Sequence, residues 1–301
     1  MNSLPLPSET PDKYTNPQFD HAHGQILAFP LCPKHIGHRE RIGRFDCLYN
    51  VESHFLELSH NVYIALPTGY DNSGDYRYPV LYMPDGKNLF YELPNQGGSP
   101  VKWGIDHSLD QLHQSGEIEP PIIVAIGQNA HRNRELLHMD HPEVGEALGQ
   151  QFMRMIVSEI KPFIDREFRT RTEPENTGII GSSLGGNLSL FAVTEHRNTF
   201  GIAGSLSPSL YYRGADLLGR IDQGQLKRAR LWTSYGSHER TRPVHVERFQ
   251  AMLDKLQERG WVKGVNFCAG IVPGGDHSEN TWGRLFPYTL KFLYAKSVLA
   301  Y

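Results

Sequence analysis

Cysteine is scarce in this chain: three residues in 301, at positions 32, 47 and 268, odd in number and far apart. They make no disulfide framework, so the fold is expected to stand on its core alone and a reducing cytoplasm is the expected compartment. No stretch approaches the roughly 18 consecutive apolar residues of a membrane span. The opening MNSLPLPSETPDKYT carries neither the basic nor the apolar segment of a secretory signal. Neither sign of charge dominates: 30 Lys and Arg face 33 Asp and Glu, a net charge of −3. That balance gives no electrostatic footprint for nucleic acid. Low hydrophobicity is also missing, since 39% of residues are hydrophobic and 21% charged. A largely disordered chain is therefore excluded.

What is present is enough chain to bury about three quarters of its unfolded surface. The 29 glycines and 20 prolines indicate many loops around a regular centre. Residues 1 to 45 are rich in Pro, His and polar residues and read as an N-terminal extension, an arm or a pair of short strands. From residue 46 strand-like runs follow: Phe55 to Leu58, Val62 to Leu66, Pro79 to Met83 and Ile122 to Ile126. The continuous apolar runs fit strands buried on both faces. Val144, Leu148, Phe152, Ile156, Ile160 and Phe163 recur near i, i+4 and predict a helix over 144–168, kinked or broken at Pro162. Ile179-Ile180, Arg230 to Tyr235 and Val265 to Val272 read as later strands. Helices are expected over Gly185 to Thr194, around Phe249, Met252, Leu253 and Leu256, and over Arg284 to Ala295 with Leu285, Tyr288, Phe292 and Leu293 apolar. Strands alternating with helices mean an α/β chain with a mainly parallel sheet and right-handed crossovers. With no repeat, low-complexity tract or linker, residues 46–301 read as a single domain.

Chemistry concentrates at Gly181-Ser182-Ser183-Leu184-Gly185-Gly186, which fits G-x-S-x-G with Ser183 central. A strand before it and a helix after it are what a nucleophile elbow requires. Glycines at 181 and 185 relieve the crowding of so tight a turn, and the helix N-terminus favours developing negative charge. The competing reading is a glycine-rich turn without catalysis. A serine needs a base to take its proton. Among fifteen histidines, His277 in Pro273-Gly274-Gly275-Asp276-His277-Ser278 follows a late strand and is the candidate. His196 lies about four helical turns beyond Ser183, roughly 20 Å away. Glu239, after the strand at 230–235 and between nucleophile and base in chain order, is the candidate acid. The alternative for Glu239 is a surface carboxylate paired with Arg240 or Arg242. Two backbone N–H groups are needed for the oxyanion: Leu184, and Lys87 or Gly86 in the Pro84-Asp85-Gly86-Lys87 turn.

These stretches resemble the esterase D-like branch of the α/β-hydrolases, which includes enterochelin esterases, feruloyl esterases, S-formylglutathione hydrolases and mycolyltransferases. The resemblance covers about residues 50 to 297. It rests on the order of Val62 to Tyr70 (VYIALPTGY), Val80 to Gly86 (VLYMPDG), Gly181 to Gly186 (GSSLGG), Ser207-Pro208-Ser209, and His277-Ser278-Glu279 with Trp282. It implies an α/β-hydrolase fold, a mainly parallel central sheet flanked by helices, with Ser183 as nucleophile, His277 as base and Leu184 and the Asp85-Gly86 loop as oxyanion donors. Glu239 resembles the acid of members that place a Glu at that strand end. Some siderophore esterases of the group use a Ser–His dyad instead. Arg132-Asn133-Arg134-Glu135-Leu136 is similar to the Arg-x-x-Glu-Leu stretch of enterochelin-type members, but Leu137 to Asp140 departs from their Thr-Pro continuation.

The expected activity is hydrolysis of a small-molecule ester, siderophore-type, aryl or short-chain, through an acyl-enzyme. Acyl transfer to an alcohol, a retired scaffold that only binds, and a metallohydrolase are the alternatives. Arg132 and Arg134 are candidates for the substrate mouth, against a solvated loop. Trp103 and Tyr211 either wall the acyl pocket or pack in the core. His21, His23, His131, His138 and His141 form no H-E-x-x-H or comparable ligand set, so no metal and no cofactor is expected. Neither a nucleic acid nor a membrane is an expected partner.

Overall fold

The computed structural model describes residues 18–20, 25–27, 32–94, 96–210, 229–239 and 243–295. The strands are β1 (Gln18–Asp20), β2 (Gln25–Leu27), β3 (His35–Ile42), β4 (Phe45–Glu52), β5 (His60–Ala65), β6 (Val80–Met83), β7 (Ile122–Ile126), β8 (Thr177–Ser182), β9 (Ile202–Leu206), β10 (Arg230–Gly236) and β11 (Phe267–Val272). β1 and β2 pair with each other. The other nine form one sheet in the order β11-β10-β9-β8-β6-β7-β5-β4-β3. Pairing is parallel from β11 through β7 and antiparallel from β7 through β3. The helices are α1 (Ile105–Gln114), α2 (Arg132–Glu135), α3 (Gly149–Met155), α4 (Lys161–Glu167), α5 (Leu184–Glu195), α6 (Pro243–Glu258) and α7 (Glu279–Tyr294).

Helices cover both faces of this sheet, and the central strands β6 and β7 are apolar at every position. Along β6, Val80 and Tyr82 join the core shared with Phe152, Ile156, Leu188, Phe191 and Phe249. Leu81 and Met83 join the opposite core with Leu109, Leu112, Phe286 and Leu290. Successive side chains point to opposite faces, and here both faces are dry. The result is a mixed α/β single domain with a mainly parallel sheet. Among the described residues, no helix is long and apolar enough to cross a membrane.

Several elements differ from the sequence reading. β3 and β4 form a hairpin, turning at Gly43 with φ 56°, that carries residues 35–42 of the expected extension into the main sheet. Phe55 to Leu58 is irregular rather than a strand. Its approach is redirected by local bonds: His54 N–H donates to Glu159 Oε1 at 2.8 Å and Phe55 N–H to Ser53 Oγ at 3.0 Å. Side-chain acceptors of this kind compete with a sheet ladder. The helix expected over 144–168 begins only at Gly149, and Pro162 does not break it. A π-helical turn at Ile156–Ile160 lies between α3 and α4, placing Pro162 in the first turn of α4 where no N–H is required of it. On α7 the buried stripe runs through Trp282, Phe286, Leu290 and Leu293, which leaves Tyr288 62% exposed instead of on the apolar face.

β8 and β9 carry the central site, and their spacing rests on Gly204. A Cβ there would stand 2.8 Å from Ile180 Cγ1 and 3.0 Å from Ile180 Cγ2 on the neighbouring strand. A β-branched side chain in a packed core has no free rotamer to retreat into. Gly204→Ala is therefore expected to cost about 1–3 kcal/mol of stability, read as a lower denaturant midpoint with an unchanged slope.

Candidate active site

Ser183 occupies the turn between β8 and α5 with φ 55° and ψ −123°, a backbone conformation rare for any residue with a side chain. Neighbouring groups leave it no choice. A Cβ at Gly181 would stand 2.6 Å from the Gly185 carbonyl carbon and oxygen, and one at Gly185 would stand 3.0 Å from Pro84 Cγ. The glycine at 181 lets the strand and helix approach this closely, and the one at 185 spares a tight contact with the loop after β6. The turn is pinned by Ser183 N–H donating to Leu206 O at 3.0 Å. α5 is buried along Leu184 to Thr194, so the elbow cannot relax by shifting the helix. As the first residue of α5, Leu184 has an N–H that the helix's own ladder does not use.

His277 and Glu239 lie beyond the ends of β11 and β10, at the same edge of the sheet. His277 Nδ1 is 3.0 Å from Glu239 Oε2. A carboxylate offers only acceptors, so Nδ1 is the donor and the neutral imidazole keeps its lone pair on Nε2. The Glu239 side chain is 1% exposed and that of His277 32% exposed. Glu239 Oε1 accepts a second bond, from Gly236 N–H at 2.8 Å. The two loops are bonded to each other, with His238 N–H donating to Gly275 O at 2.8 Å and Gly274 N–H to Ser237 Oγ at 2.9 Å. The imidazole also packs edge-on against Trp282, with ring centres 5.1 Å apart. Trp282 Nε1–H donates to Ser207 Oγ at 2.9 Å, which ties the His277 loop to the strand beside Ser183. Asp276 turns away from His277 and accepts from Ser278 Oγ and Thr281 Oγ1 at 2.5 and 2.6 Å. These hydroxyl bonds hold its carboxyl below the usual range.

The loop after β6 supplies the other wall. Asp85 has φ 58° and ψ 37°, and Gly86 opens a short 3-10 turn. A Cβ at Gly86 would stand 2.8 to 2.9 Å from the backbone of Ala125, Ile126 and Gly127, so glycine is obligatory there. Lys87 N–H donates to Gln128 Oε1 at 3.2 Å, and Gln128 Nε2 donates to Asn88 Oδ1 at 3.1 Å. In this structure the expected Lys87 donor is therefore engaged within the chain. Gln128 escaped the sequence reading, although its place two residues past β7 marked it as a neighbour of this edge.

Of the residues expected at a substrate mouth, Arg132, Arg134 and Trp103 are described. Arg132 grips Asp85 with two nitrogens, Nε to Oδ1 at 2.5 Å and NH2 to Oδ2 at 2.7 Å. Arg134 bonds Glu146, at its carbonyl and its carboxylate, at 3.0 and 3.1 Å. Both guanidinium groups thus face intramolecular partners, Arg132 one 47 residues away and Arg134 one 12 residues away. Trp103 is 6% exposed and packs among Trp282 and Phe286, with ring centres 5.9 and 6.1 Å away. It supports the wall behind His277 from within the core. Tyr211 lies outside the described residues, as do His21, His23, Arg240 and Arg242. His196 caps the far end of α5 from Ser183. Burial pushes the Cys47 thiol up to about 11 and raises that of Cys268, which suits inert core positions. Glu92, Asp106 and His107 cluster within metal-ligating distance, but apart from the candidate residues. Asp106 Oδ2 there accepts the N–H groups of Tyr91 and Glu92 at 2.9 and 2.7 Å. A groove of about 580 Å³ between α1 and α7 is lined by Leu112, Arg284, Leu285 and Tyr288 and by none of the candidate site residues.

With this geometry in view, a family model described as "Putative esterase" matches residues 53–293. The chain is 26% identical over 247 residues to the uncharacterized protein YbbA of Bacillus subtilis, covering 78% of this chain and 92% of that one. A ferulic acid esterase structure superposes with a TM-score of 0.63 at 18% identity, over 83% of this chain and 96% of that one. The enterobactin esterase FES of Shigella flexneri superposes with a TM-score of 0.60 at 19% identity, over 88% of this chain and 60% of that one. At those identities the two structures speak for the α/β-hydrolase fold.

The Arg132–Asp85 pair yields a test of what the guanidinium does. Arg132→Gln is expected to lower turnover of esters with neutral and with anionic acyl groups by the same factor, about tenfold, with little change in KM. A loss confined to anionic acyl groups and read in KM would assign Arg132 to the substrate.

Proposed function

Since the chain belongs to this esterase family of the α/β-hydrolases, with ester hydrolysis as its reaction class, we propose that it is a serine esterase in which Ser183, His277 and Glu239 act together. The observation that carries this reading is the bond from His277 Nδ1 to the buried Glu239 carboxylate at 3.0 Å. A scaffold that only bound ligands would have no use for a buried acid dedicated to one imidazole tautomer. With Nδ1 fixed as donor, Nε2 is the basic nitrogen.

In the first half of the reaction Ser183 Oγ attacks the ester carbonyl carbon and its proton passes to His277 Nε2. The carbonyl electron pair moves onto oxygen, where backbone N–H groups receive it. Leu184 is one donor. The other comes from the Gly86–Lys87 turn, and the Gln128 oxygen now on Lys87 N–H is a carbonyl oxygen, the same acceptor type an ester would bring. Entry of the substrate would displace it. His277 then protonates the departing alkoxide, leaving an acyl-serine. Water repeats the sequence, giving its proton to Nε2, and Ser183 leaves as the hydroxyl. Glu239 orients the imidazole and stabilises its cation. Nothing in this scheme requires a cofactor or metal. The substrate is a small-molecule ester with an aryl, siderophore-type or short-chain acyl group, to be ranked with a panel of esters of graded acyl size.

Labelling with a fluorophosphonate is expected to modify Ser183, and Ser183→Ala is expected to fold while losing nearly all hydrolysis of p-nitrophenyl acetate, leaving only the residue due to binding and oxyanion contacts. Glu239→Gln is expected to lower kcat at least about a hundredfold. A loss of only a few-fold would make the enzyme a Ser–His dyad, and an unlabelled native protein would overturn the serine mechanism.

A further inference from the structure

The Ser207-Pro208-Ser209 turn stands at the end of β9 with no role in the scheme above. Its Ser209 is 2% exposed. Its hydroxyl lies 3.0 Å from Ser183 Oγ, and among the described residues this is its side-chain hydrogen bond. The surrounding backbone is built to keep it there. Ser209 N–H donates to Ser183 O at 3.3 Å, Asn187 Nδ2 donates to Ser209 O at 3.0 Å, and Ser207 is bent to φ 47°. Ser207 N–H is fixed to Ser234 O at 2.7 Å on the next strand. None of these bonds uses the Ser209 side chain, so the scaffold places one hydroxyl against the nucleophile and needs nothing from that hydroxyl itself.

We propose that Ser209 is a further catalytic residue: its hydroxyl donates a hydrogen bond to Ser183 Oγ while negative charge builds there. The inference rests on Ser183 being the nucleophile. Ser183 Oγ has one proton and two lone pairs. If that proton pointed at Ser209 it would face a hydroxyl, which is no base. With Ser209 as donor, the Ser183 proton is left for His277 Nε2, one lone pair accepts from Ser209, and the other attacks the carbonyl carbon. The Ser209 proton never changes owner. Such a bond is strongest when Oγ carries most charge, because hydrogen bonds to charged acceptors are about twice as strong as neutral ones. That condition occurs twice: as the serine proton departs in acylation, and as Oγ leaves the second tetrahedral intermediate in deacylation. Once Oγ is an ester oxygen it is a poor acceptor and the bond weakens. Ser209 therefore stabilises the transition states on either side of the acyl-enzyme more than the acyl-enzyme itself, which is the requirement for a rate effect.

The test uses the full chain with Ser209→Ala and Ser209→Thr, following labelling of Ser183 by a fluorophosphonate, p-nitrophenyl acetate turnover and thermal unfolding. For Ser209→Ala, labelling and kcat/KM are expected to fall together by about tenfold with an unchanged melting temperature. Ser209→Thr, where it folds, is expected to regain most of both rates, because it restores the hydroxyl. A labelling rate for Ser209→Ala within twofold of the native protein, or faster, overturns the proposal, since a hydroxyl that merely held Ser183 at rest would slow the native reaction. A lower melting temperature without a rate effect assigns Ser209 a structural part and overturns it too. Failure of the native protein to label at Ser183 would instead sink the serine-esterase reading, so the two outcomes are separable.

Discussion

The arrangement turns on the backbone of Ser183, held at a positive φ that an L-residue avoids. Conformations of this kind cost on the order of 1–3 kcal/mol and persist only where the surroundings over-determine them. Here those surroundings are the contact between the positions of Gly181 and Gly185, the bond from Ser183 N–H to Leu206 O and the burial of α5. Of the four described non-glycine residues with positive φ, three border this site: Asp85, Ser183 and Ser207. Each sits where a strand of the parallel half ends. Strain is thus concentrated on the loops that aim N–H and O–H groups at one another, while the strands behind them are regular.

Parallel pairing explains why those loops meet. β6, β8, β9, β10 and β11 run in one direction, so their C-terminal ends share an edge. Residues more than a hundred positions apart in sequence, from Asp85 to His277, come to that edge without any long excursion of chain. Such a row of strand ends is where open α/β sheets place their ligands. The antiparallel strands β3, β4 and β5 extend the sheet on the other side and contribute none of the candidate catalytic groups.

Much of this was legible in the sequence, for identifiable reasons. The strained turn at Ser183 was readable because its constraint is local, the glycines at 181 and 185 standing within the same six residues. The pairing of His277 with Glu239 was legible from chain order, since both follow late strands of the parallel half. The bonds of Arg132 and Arg134 were not, because they depend on the carboxylate each arginine meets. Asp85 is 47 residues from Arg132 in sequence, and nothing in the local pattern announces the pair. Gln128 was hidden for the same reason, its partners being Lys87 and Asn88 across the loop. The stretch at 55–58 is irregular although its apolar spacing resembles a strand, because the partner of its approach, Glu159, lies on a distant helical turn. Local covalent constraints can be read from a sequence, whereas a tertiary hydrogen-bond partner is legible only where chain order narrows the choice, as it does for His277 and Glu239 and does not for Arg132 or Gln128.

The acid illustrates how a longer side chain is accommodated. Glu239 lies three residues past Gly236 and folds back so that Oε1 meets the Gly236 N–H while Oε2 meets His277. A Cβ at Gly236 would stand 2.3 Å from Gly275 O and 3.0 Å from Glu239 Cγ, so the return path exists only because residue 236 has no side chain. The same glycine lets the β10 and β11 loops touch, which is what brings His277 within reach of the carboxylate. One small residue therefore sets two things at once, the reach of the Glu239 carboxylate and the approach of the His277 ring. With both carboxyl oxygens bonded to donors and the group removed from water, Glu239 has little freedom to reorient. The imidazole inherits that rigidity through Nδ1, and its edge contact with Trp282 restricts the remaining rotation about the ring axis.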